Sequence, residues 1–440
     1  MRDIGLLAFI LAMLPLAAAR PFVGILMWSW VSFMNPHRLA WGFISSMPLA
    51  AMAFGVTLLG CVMAREPKRL PINAVTVLLV VLLACITATS SVALAPPETV
   101  WAKWDYVSKI ILGLLLTAAL LTDRRRIHAF IWLMAIALAF FGVKGGVFTL
   151  LTGGSFIVLG PEDSIIGDRN HLSVALLVCL PLMNYLRLHS AHRSVRWVLV
   201  AAMAFTLLSV VGSQSRGALI ALAATSAVLW LRTSGKLVSG IVIGAAVAGA
   251  VTFMPPSWTE RMWSIETYEE DASAMGRVRI WQAGLAIALD RPFTGGGFKA
   301  VYQQDIVDRY LPDVRARADH SIWIEALSEH GFPTFAVWLG VILAGAFYAF
   351  RVVALAQDRP DLRWAYDLAR MAQVSMVAYV TGGTFLSLAY WDYFWALMVV
   401  MAATHALVAQ AVRAPAQRIA IATALAAPRG AVALPAPVAR

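Results

Sequence analysis

The sequence predicts an all-α, polytopic membrane protein with about 12 transmembrane helices and one large loop domain on the non-cytoplasmic side. Of its 440 residues, 60% are hydrophobic and 13% are charged, and its mean hydropathy is +0.75. A soluble domain is nearer half apolar and a quarter charged. Long apolar runs recur along the chain, and a bilayer core requires about 20 apolar residues per helix. A single soluble core could not bury so many runs.

The predicted spans form two groups, separated by a long polar connection over residues 255–331. The first group contains Ile4–Ala19, Phe22–Met34, Gly42–Met63, Ile72–Leu94, Val107–Leu121, Ala129–Leu150, Leu172–Leu186, Trp197–Val211, Ala218–Leu231 and Leu237–Met254. The second group contains Phe332–Phe350, Met371–Leu388 and Phe394–Val412. We therefore divide the chain into N-terminal spans (1–254), a large loop with the candidate catalytic motifs (255–331), C-terminal spans (332–412) and a tail (413–440). The Ala, Pro and Arg content of the tail predicts a disordered cytoplasmic end.

Basic residues fall mainly in short connections between apolar runs, where they contribute much of the net charge of +11. Such charge is typical of cytoplasmic loops, so no nucleic-acid partner is predicted. The basic clusters stand at every second connection after Gly42 and are Arg65/Lys68/Arg69, Arg124–Arg126, Arg187/Arg193/Arg196, Arg232/Lys236 and Arg351/Arg359/Arg363. The alternate connections, including the 255–331 loop, are therefore predicted to lie on the opposite side of the membrane.

The first two apolar segments do not fit this alternation. Both are short, and they meet at Arg20-Pro21. Either they form a tight hairpin or one of them does not cross the membrane, and the sequence leaves both alternatives open.

A helix start on the non-cytoplasmic side carries the first candidate site residues. Asp168-Arg169-Asn170-His171 open an apolar segment, and Asp168 or Asn170 is placed to cap the helix. An arginine and a histidine at a helix N-terminus suit an anion, so Arg169 and His171 are candidate binding residues. The alternative is a capped loop with a charged side chain that reaches toward water.

Arg216 lies in the tight turn Ser213–Gly217 between two apolar segments, opposite the basic loops. The positive-inside rule disfavours an arginine there, and one at the edge of the apolar zone requires a partner or a watery cavity. A guanidinium group binds phosphate through two parallel hydrogen bonds. We therefore predict that Arg216 binds an anion such as phosphate.

The 255–331 loop contains Arg277, Arg279 and Trp281 in a stretch with helical spacing. Arg277 and Trp281 fall one turn apart on one helix face, and both arginines are candidates to bind the same anion. The glycine run Gly295–Gly297 lacks the GK[ST] sequence that follows in a phosphate-binding P-loop. It is predicted to be a flexible turn.

His320 is the candidate catalytic residue. A histidine is well suited to proton transfer near neutral pH, and His320 is predicted to share its side of the membrane with Arg216 and Arg277. The pattern therefore indicates a base beside an anion site. Asp392 lies on the same side in an aromatic stretch typical of membrane interfaces. It is a candidate to pair with an arginine or to orient His320.

Several catalytic motifs do not occur in the chain. There is no Walker motif, HExxH, GxSxG or DxD, so neither a cofactor nor a metal is predicted. The three cysteines, Cys61, Cys85 and Cys179, lie within apolar runs without a CxxC pair. They are predicted to be core residues rather than metal ligands or disulfides.

From Gly167 to Asp392 the chain resembles the bacterial O-antigen ligase and polymerase superfamily. The residues that carry the resemblance are, in order, Arg169-Asn170-His171, Ser213–Gly217, Arg277 four residues before Trp281, Asp290-Arg291-Pro292 leading to Gly295–Phe298, and His320-Ser321 followed after nine residues by Gly331. The N-terminal part, with Asn35-Pro36-His37-Arg38, resembles O-glycosylation ligases associated with exosortase systems. Phe332-Pro333-Thr334 depart from the ligase motif, which leaves ligase and polymerase open.

The resemblance implies a metal-independent, inverting glycosyltransferase with a GT-C-like fold that acts in lipopolysaccharide biosynthesis. It implies a bacterial inner-membrane protein whose active site, in the 255–331 loop, faces the periplasm. The donor would be a glycan linked to undecaprenyl pyrophosphate, the acceptor a hydroxyl of lipid A–core, and membrane lipids would surround the helices. His320 would act as the base. The pyrophosphate would be bound by Arg216 and Arg277, with Arg279 or Arg169.

Other functions fit parts of the same pattern. A protein O-oligosaccharyltransferase or an O-antigen polymerase would use the same donor with another acceptor, and the sequence does not define the acceptor. A lipid-linked glycan transporter is the alternative from another class. A transporter would carry ionisable residues near the middle of its spans, where this chain has few beyond Lys109 and Lys144.

Overall fold

The structure is a computed structural model that describes residues 2–40, 42–233, 235–263 and 272–426. Within these ranges the chain is all-helical and contains no strand. The helices before residue 255 are α1 (Arg2–Ala19), α2 (Pro21–Met34), α3 (Leu49–Met63), α4 (Ala74–Ser90), α5 (Pro97–Leu120), α6 (Arg124–Leu151), α7 (Arg169–His189), α8 (Arg193–Gly212), α9 (Arg216–Arg232) and α10 (Lys236–Phe253).

The 255–331 connection is itself largely helical in its described part. The remaining helices are α11 (Pro256–Trp263), α12 (Ala272–Asp290), α13 (Gln304–Tyr310), α14 (Ile322–Ala356), α15 (Arg363–Gly383) and α16 (Asp392–Ala426). Short 3-10 helices cover Pro36–Leu39, Phe43–Ser46, Ala300–Tyr302 and Pro360–Leu362. Helix α16 continues past residue 413, where the sequence predicts a disordered tail, and residues 427–440 lie outside the described residues.

Several helices are long and apolar enough to cross a membrane. In the described part of the chain there are six by length and composition: Arg2–Ala19, Arg124–Leu151, Arg169–His189, Arg193–Gly212, Ile322–Ala356 and Asp392–Arg413. Three shorter apolar helices are Pro21–Met34, Leu49–Met63 and Ala74–Ser90. The prediction of a multi-pass helical membrane protein is thus confirmed, whereas the count of about 12 spans stays a prediction.

Helix α7 lies at the centre of the helix bundle. It packs against α6, α8 and α15, and it is buried along most of its length, from His171 to Leu186. The first part of α16 is buried in the same way from Asp392 to Thr404. A helix that is apolar all round belongs inside a large bundle, so these two helices hold the others in place.

The first two segments form a helical hairpin. Arg20 alone separates α1 from α2, and Pro21 occupies the first helical position, where its missing N–H and fixed φ favour a helix start. Both helices pack against α3. A Cβ atom at Gly60 of α3 would lie 2.5 Å from the carbonyl oxygen of Ala18, so the backbones of α1 and α3 are in close contact.

Helix α5 begins ten residues earlier than the predicted span Val107–Leu121. The segment Pro96–Tyr106, expected to be a connection, is therefore helix from Pro97 onward, and that expectation is wrong. Hydropathy misses these first ten residues, nearly three turns, because their side chains include Lys103 and other polar groups. The sequence nevertheless indicates the helix start at Pro97, because proline is favoured at the first position of a helix.

The basic connections meet at one end of the bundle. Arg126 forms an ion pair with Glu66 at 2.5 Å, which joins the α3–α4 and α5–α6 connections. His189 at the end of α7 lies 3.1 Å from Asp367 at the start of α15. The alternation of basic loops along the sequence thus corresponds to a common end in space, and the candidate site residues lie at the other end.

Candidate active site

His320 lies in the stretch that leads from α13 into α14. Its backbone adopts the left-handed conformation, with φ of 47°, and its N–H donates to Oγ of Ser387 at 3.0 Å. The ring is half-buried, and its Nδ1 atom is buried without a hydrogen bond in the described part of the chain. A left-handed conformation is uncommon outside glycine and is often found at functional sites.

Helix α12 presents Arg277 and Trp281 toward His320, as the helical spacing predicts. Trp281 donates its indole N–H to the carbonyl oxygen of Asp319 at 2.6 Å, which fixes the residue before the histidine. Burial, and then the charges of Arg277 and Arg317, lower the pKa of His320 to about 4. The imidazole is therefore neutral at physiological pH and can accept a proton.

The start of α7 brings His171 to the same place. Asp168 caps the helix by accepting from the N–H groups of Asn170 at 2.7 Å and His171 at 3.2 Å, and its other carboxylate oxygen contacts Nδ1 of His171. The ring of His171 lies against the backbone of Ser387 and close to the charges of His320 and Arg277. The helix cap thus orients the ring of His171 toward His320 and Ser387.

Ser387, in the connection between α15 and α16, contacts both histidines. Its hydroxyl oxygen accepts from the N–H of His320, and its backbone lies against His171. The side chain of Tyr302 also reaches this serine. A lone serine in an apolar segment carries no chemical pattern, so only the fold identifies it.

Arg216 occupies the first position of α9, at the same end of the bundle. Oγ of Ser215 accepts from the N–H of Ala218 at 3.2 Å and caps the helix. A Cβ atom at Gly217 would lie 3.6 Å from Phe385, whose ring is 6.4 Å from that of Trp281. One aromatic layer therefore connects the start of α9 with the α12 face that carries Arg277.

The other candidate residues are placed differently. Arg279 is exposed on α12, about 200° around the helix from Arg277, because each residue turns the helix by about 100°. Arg169 lies at the first position of α7 and is half-buried. Asp392 is buried and accepts from the hydroxyl of Ser32 and from the N–H of Tyr393 at 2.8 Å. It pairs with neither an arginine nor His320, so this expected role is not seen among the described contacts.

A group of buried polar side chains, missed in the sequence, borders the histidines. We name Asp319, Glu325 and Glu329 the carboxylate cluster. Glu325 forms an ion pair with Lys103 of α5 at 3.5 Å, and its other oxygen accepts from the N–H of Ala389 at 2.9 Å. The ammonium group of Lys103 lies 5.4 Å from the centre of the Tyr390 ring. One lysine thus faces several acidic groups inside the protein.

Several polar atoms of this region accept or donate no hydrogen bond within the described residues. They are both carboxylate oxygens of Asp319 and Nε2 of His330, whereas the hydroxyl of Tyr390 faces the carboxylate of Glu329. Burial, and then the neighbouring Glu325 and Glu329, raise the pKa of Asp319. Buried polar groups are costly unless they are satisfied, so this region is suited to contact with polar ligand groups. The same described residues contain no trio of His, Cys, Asp or Glu placed to bind a metal.

The glycine run Gly295–Gly297 forms hydrogen bonds with α14 just before a break in that helix. Gly331 has φ of 73° and ψ of 179°, which ends the helical path after His330. The carbonyl groups of Ser328 and Glu329 accept instead from the N–H groups of Gly296 and Gly297, both at 2.8 Å. The run is therefore a fixed connection rather than the flexible turn that the sequence predicts. These hydrogen bonds hold the short segment Ile322–His330, which carries Glu325 and Glu329, beside the glycine run.

One feature of the sequence does indicate the carboxylate cluster. Glu325 and Glu329 are four residues apart and lie on one helix face, in a segment that continues into a long apolar span. Ionisable residues in such a segment are a functional hypothesis by default. Lys103 has no comparable signal, because the helix that carries it lies more than 200 residues away in the chain.

Fold and site together define a multi-pass helical membrane protein with histidine and arginine side chains gathered at one end of its bundle. Comparison with known families gives two matches. Residues 1–191 match a family of unknown function, DUF5935, and residues 201–339 match the O-antigen ligase family, Wzy_C. No curated protein matches the chain.

The second match covers Arg216, Arg277 and His320 and supports an O-antigen ligase family assignment for this part of the chain, as the sequence motifs predict. An O-antigen ligase or polymerase type of function follows, with a lipid-linked glycan and a lipid acceptor as partners in general terms. His171 and Lys103 lie in the other matched region, and Ser387 lies outside both. The candidate site is thus assembled from three parts of the chain.

Proposed function

We propose that the protein is a ligase that transfers a glycan from undecaprenyl pyrophosphate to a hydroxyl of lipid A–core. The reaction would take place at the periplasmic face of the bacterial inner membrane, without a metal and with inversion at the anomeric carbon. One observation carries the proposal: His171, Arg277 and His320 come from distant segments and share one place. A base beside a cationic group is what transfer from a pyrophosphate requires.

His320 acts as the base in this proposal. Its pKa of about 4 leaves the ring neutral, and its buried Nδ1 has no hydrogen-bond partner within the described residues. The acceptor hydroxyl loses its proton to the imidazole as its oxygen forms a bond to the anomeric carbon. Attack from the side opposite the leaving group inverts the configuration at that carbon.

The arginines stabilise the leaving group. As the bond between the anomeric carbon and the pyrophosphate oxygen breaks, its electron pair stays with the pyrophosphate, which gains negative charge. Arg277 lies beside His320, and Arg216 lies beyond the Phe385 and Trp281 rings at the same end. Fixed guanidinium groups stabilise such charge without reorganisation, and the pyrophosphate bond supplies the driving force.

The carboxylate cluster positions this machinery. Glu325 binds the N–H of Ala389, two residues after Ser387, which in turn holds the backbone of His320. Lys103 balances the charge of Glu325 at 3.5 Å. The oxygens of Asp319, which have no hydrogen-bond partner among the described residues, are suited to accept hydrogen bonds from sugar hydroxyls as the acceptor enters.

A transfer assay tests the proposal. Purified protein would receive undecaprenyl-pyrophosphate-linked glycan and lipid A–core, with EDTA and no nucleotide. We expect product from the wild type and a loss of at least about 100-fold in His320→Ala, the usual weight of a general base. His192→Ala is the matched control, because His192 is exposed at the opposite end and its side chain makes no capping bond.

The assay also separates the alternatives. Equal activity of wild type and His320→Ala would contradict the role of His320. Product formed only with a protein acceptor, or only as longer glycan on the same carrier, would indicate an oligosaccharyltransferase or a polymerase. Donor that moves across sealed vesicles without transfer would indicate a transporter.

A further inference from the structure

A second polar site lies beside the N-terminal hairpin. It is a cavity of about 520 Å³ whose lining includes Arg2 of α1, Arg38 of the first 3-10 helix and Lys144 of α6. Leu39 and Phe140 contribute apolar surface, and Glu162 is the acidic lining residue. None of the motifs that define the candidate active site contributes to it.

The cavity opens at the same end of the bundle as the histidines. Its wall includes the α6–α7 connection, which is closed by a hydrogen bond from the N–H of Gly160 to the carbonyl of Gly167 at 2.9 Å. Asp168, the cap of α7, follows directly. The connection therefore separates two sites that face the same side of the membrane.

The charges around the cavity are unbalanced toward positive. Among the described lining residues, three side chains are basic and one is acidic. Arg38 also pairs with Asp163 at 3.5 Å, but the Asp163 side chain is 80% exposed, and such a pair contributes little. Arg38 and Lys144 come from separate elements, and an anion in the cavity would reduce the repulsion between their charges.

Lys144 is a second reason to expect an anion in this cavity. It forms no ion pair within the described residues, and it lies in the transmembrane helix α6. The helical rise places it about 10 Å from the end of α6 at Leu151. Phe140 and Val147 on the same helix are exposed, at 42% and 37%. A lysine on an apolar face is costly in lipid, unless a headgroup or water reaches it.

We propose that this cavity binds the phosphate-bearing headgroup of a membrane lipid. Arg38 has the bidentate geometry that suits phosphate, and Lys144 supplies a point charge. Leu39 and Phe140 contact the first methylene groups of the lipid chain. The volume lies within the range of sites for small organic ligands, and the lining is both cationic and apolar. These properties suit an amphipathic lipid better than free phosphate.

Lipid binding to the delipidated full chain tests the proposal by native mass spectrometry. The probes are phosphatidylglycerol and phosphatidylcholine with the same acyl chains, and inorganic phosphate as a competitor. We expect the wild type to prefer phosphatidylglycerol, and Lys144→Gln to weaken this binding about five-fold, the effect of one basic residue near an anionic lipid. Lys144→Arg keeps the charge and should retain the binding.

Lys109→Gln is the matched control. It removes the same charge from α5, where Lys109 pairs with Asp105 at 2.5 Å and is exposed. Equal weakening by Lys109→Gln and Lys144→Gln would overturn the site, and so would equal binding of the two lipids. Complete displacement by millimolar phosphate would overturn the lipid as the source of the headgroup. Gel filtration confirms that each variant is folded.

Discussion

Lys103 and Glu325 form an ion pair at 3.5 Å between two helices, and the Glu325 side chain is only 4% exposed. Removing one partner of a buried pair leaves an uncompensated charge and costs about 3 kcal/mol or more. We therefore expect Lys103→Met to lower the apparent melting temperature of the purified protein clearly. Lys109→Met, in an exposed pair with Asp105, should change it little.

The double variant Lys103→Met/Glu325→Gln decides whether the pairing is the cause. Two residues in contact are coupled, so the loss in the double variant should be smaller than the sum of the single losses. Strict additivity would show that Lys103 stabilises the protein in some other way.

The lowered pKa of His320 predicts how the rate of transfer depends on pH. Because its pKa is lowered from 6.5 to about 4, the neutral, proton-accepting ring predominates across the physiological range. The rate should therefore stay level as the pH falls from about 8 to about 5.5 and decline only near pH 4. Initial rates with saturating donor measure this. A rate that halves near pH 6.5 would show an unshifted histidine or another base.

The same shift has a consequence for stability. The folded state binds this proton less tightly than the unfolded state, so acidification from about pH 6.5 to about pH 4 disfavours folding. His320→Gln carries no such proton and should lose part of the pH dependence of the melting temperature in that window.

Arg277 and Arg279 provide a paired test of the anion site. Arg277 lies beside His320 and His171, whereas Arg279 is exposed on another face of α12. Lysine keeps the charge but loses the bidentate geometry, so Arg277→Lys should reduce transfer about 100-fold, as the loss of one stabilising donor does. Arg279→Lys should remain near the wild type. Equal losses in the two variants would place the pyrophosphate elsewhere.

Gly331 is the position where a methyl group should do most damage. Its φ of 73° with ψ of 179° is a conformation essentially restricted to glycine, and a Cβ atom would lie 2.5 Å from the carbonyl oxygen of Pro292. Gly331→Ala should therefore destabilise the protein by about 3 kcal/mol. Gly55→Ala is the control, since a Cβ atom there meets nothing within 4 Å. A Gly331→Ala variant that melts like the wild type would contradict the strain.

The sequence predicts the fold well where the signal is local. Apolar runs and basic connections depend on neighbouring residues, so the helices from α6 to α10 begin and end within a few residues of the predicted segments. Hydropathy does not indicate the start of α5, because this segment contains polar side chains such as Lys103. The break at Gly331 was also missed, since it depends on hydrogen bonds with the distant glycine run.

For the candidate site, residue type indicates some of the residues that lie together, and geometry is required to find the others. His171, Arg277 and His320 stand out because arginine and histidine are unusual on the side opposite the basic loops. Ser387 and Glu325 gain their roles only from partners far along the chain. The opposite is true of Asp392. Its charge suggests a role in the candidate site, but its carboxylate accepts a hydrogen bond from Ser32.

The break at Gly331 also has a mechanical consequence. A continuous helix would tilt as one rod when the bilayer becomes thicker or thinner. Here the long part of α14 can change its tilt at the interruption, while Ile322–His330 stays clamped by the amides of Gly296 and Gly297. We therefore expect a change in the tilt of the long part of α14 to leave the position of Ile322–His330, and of His320 before it, unchanged.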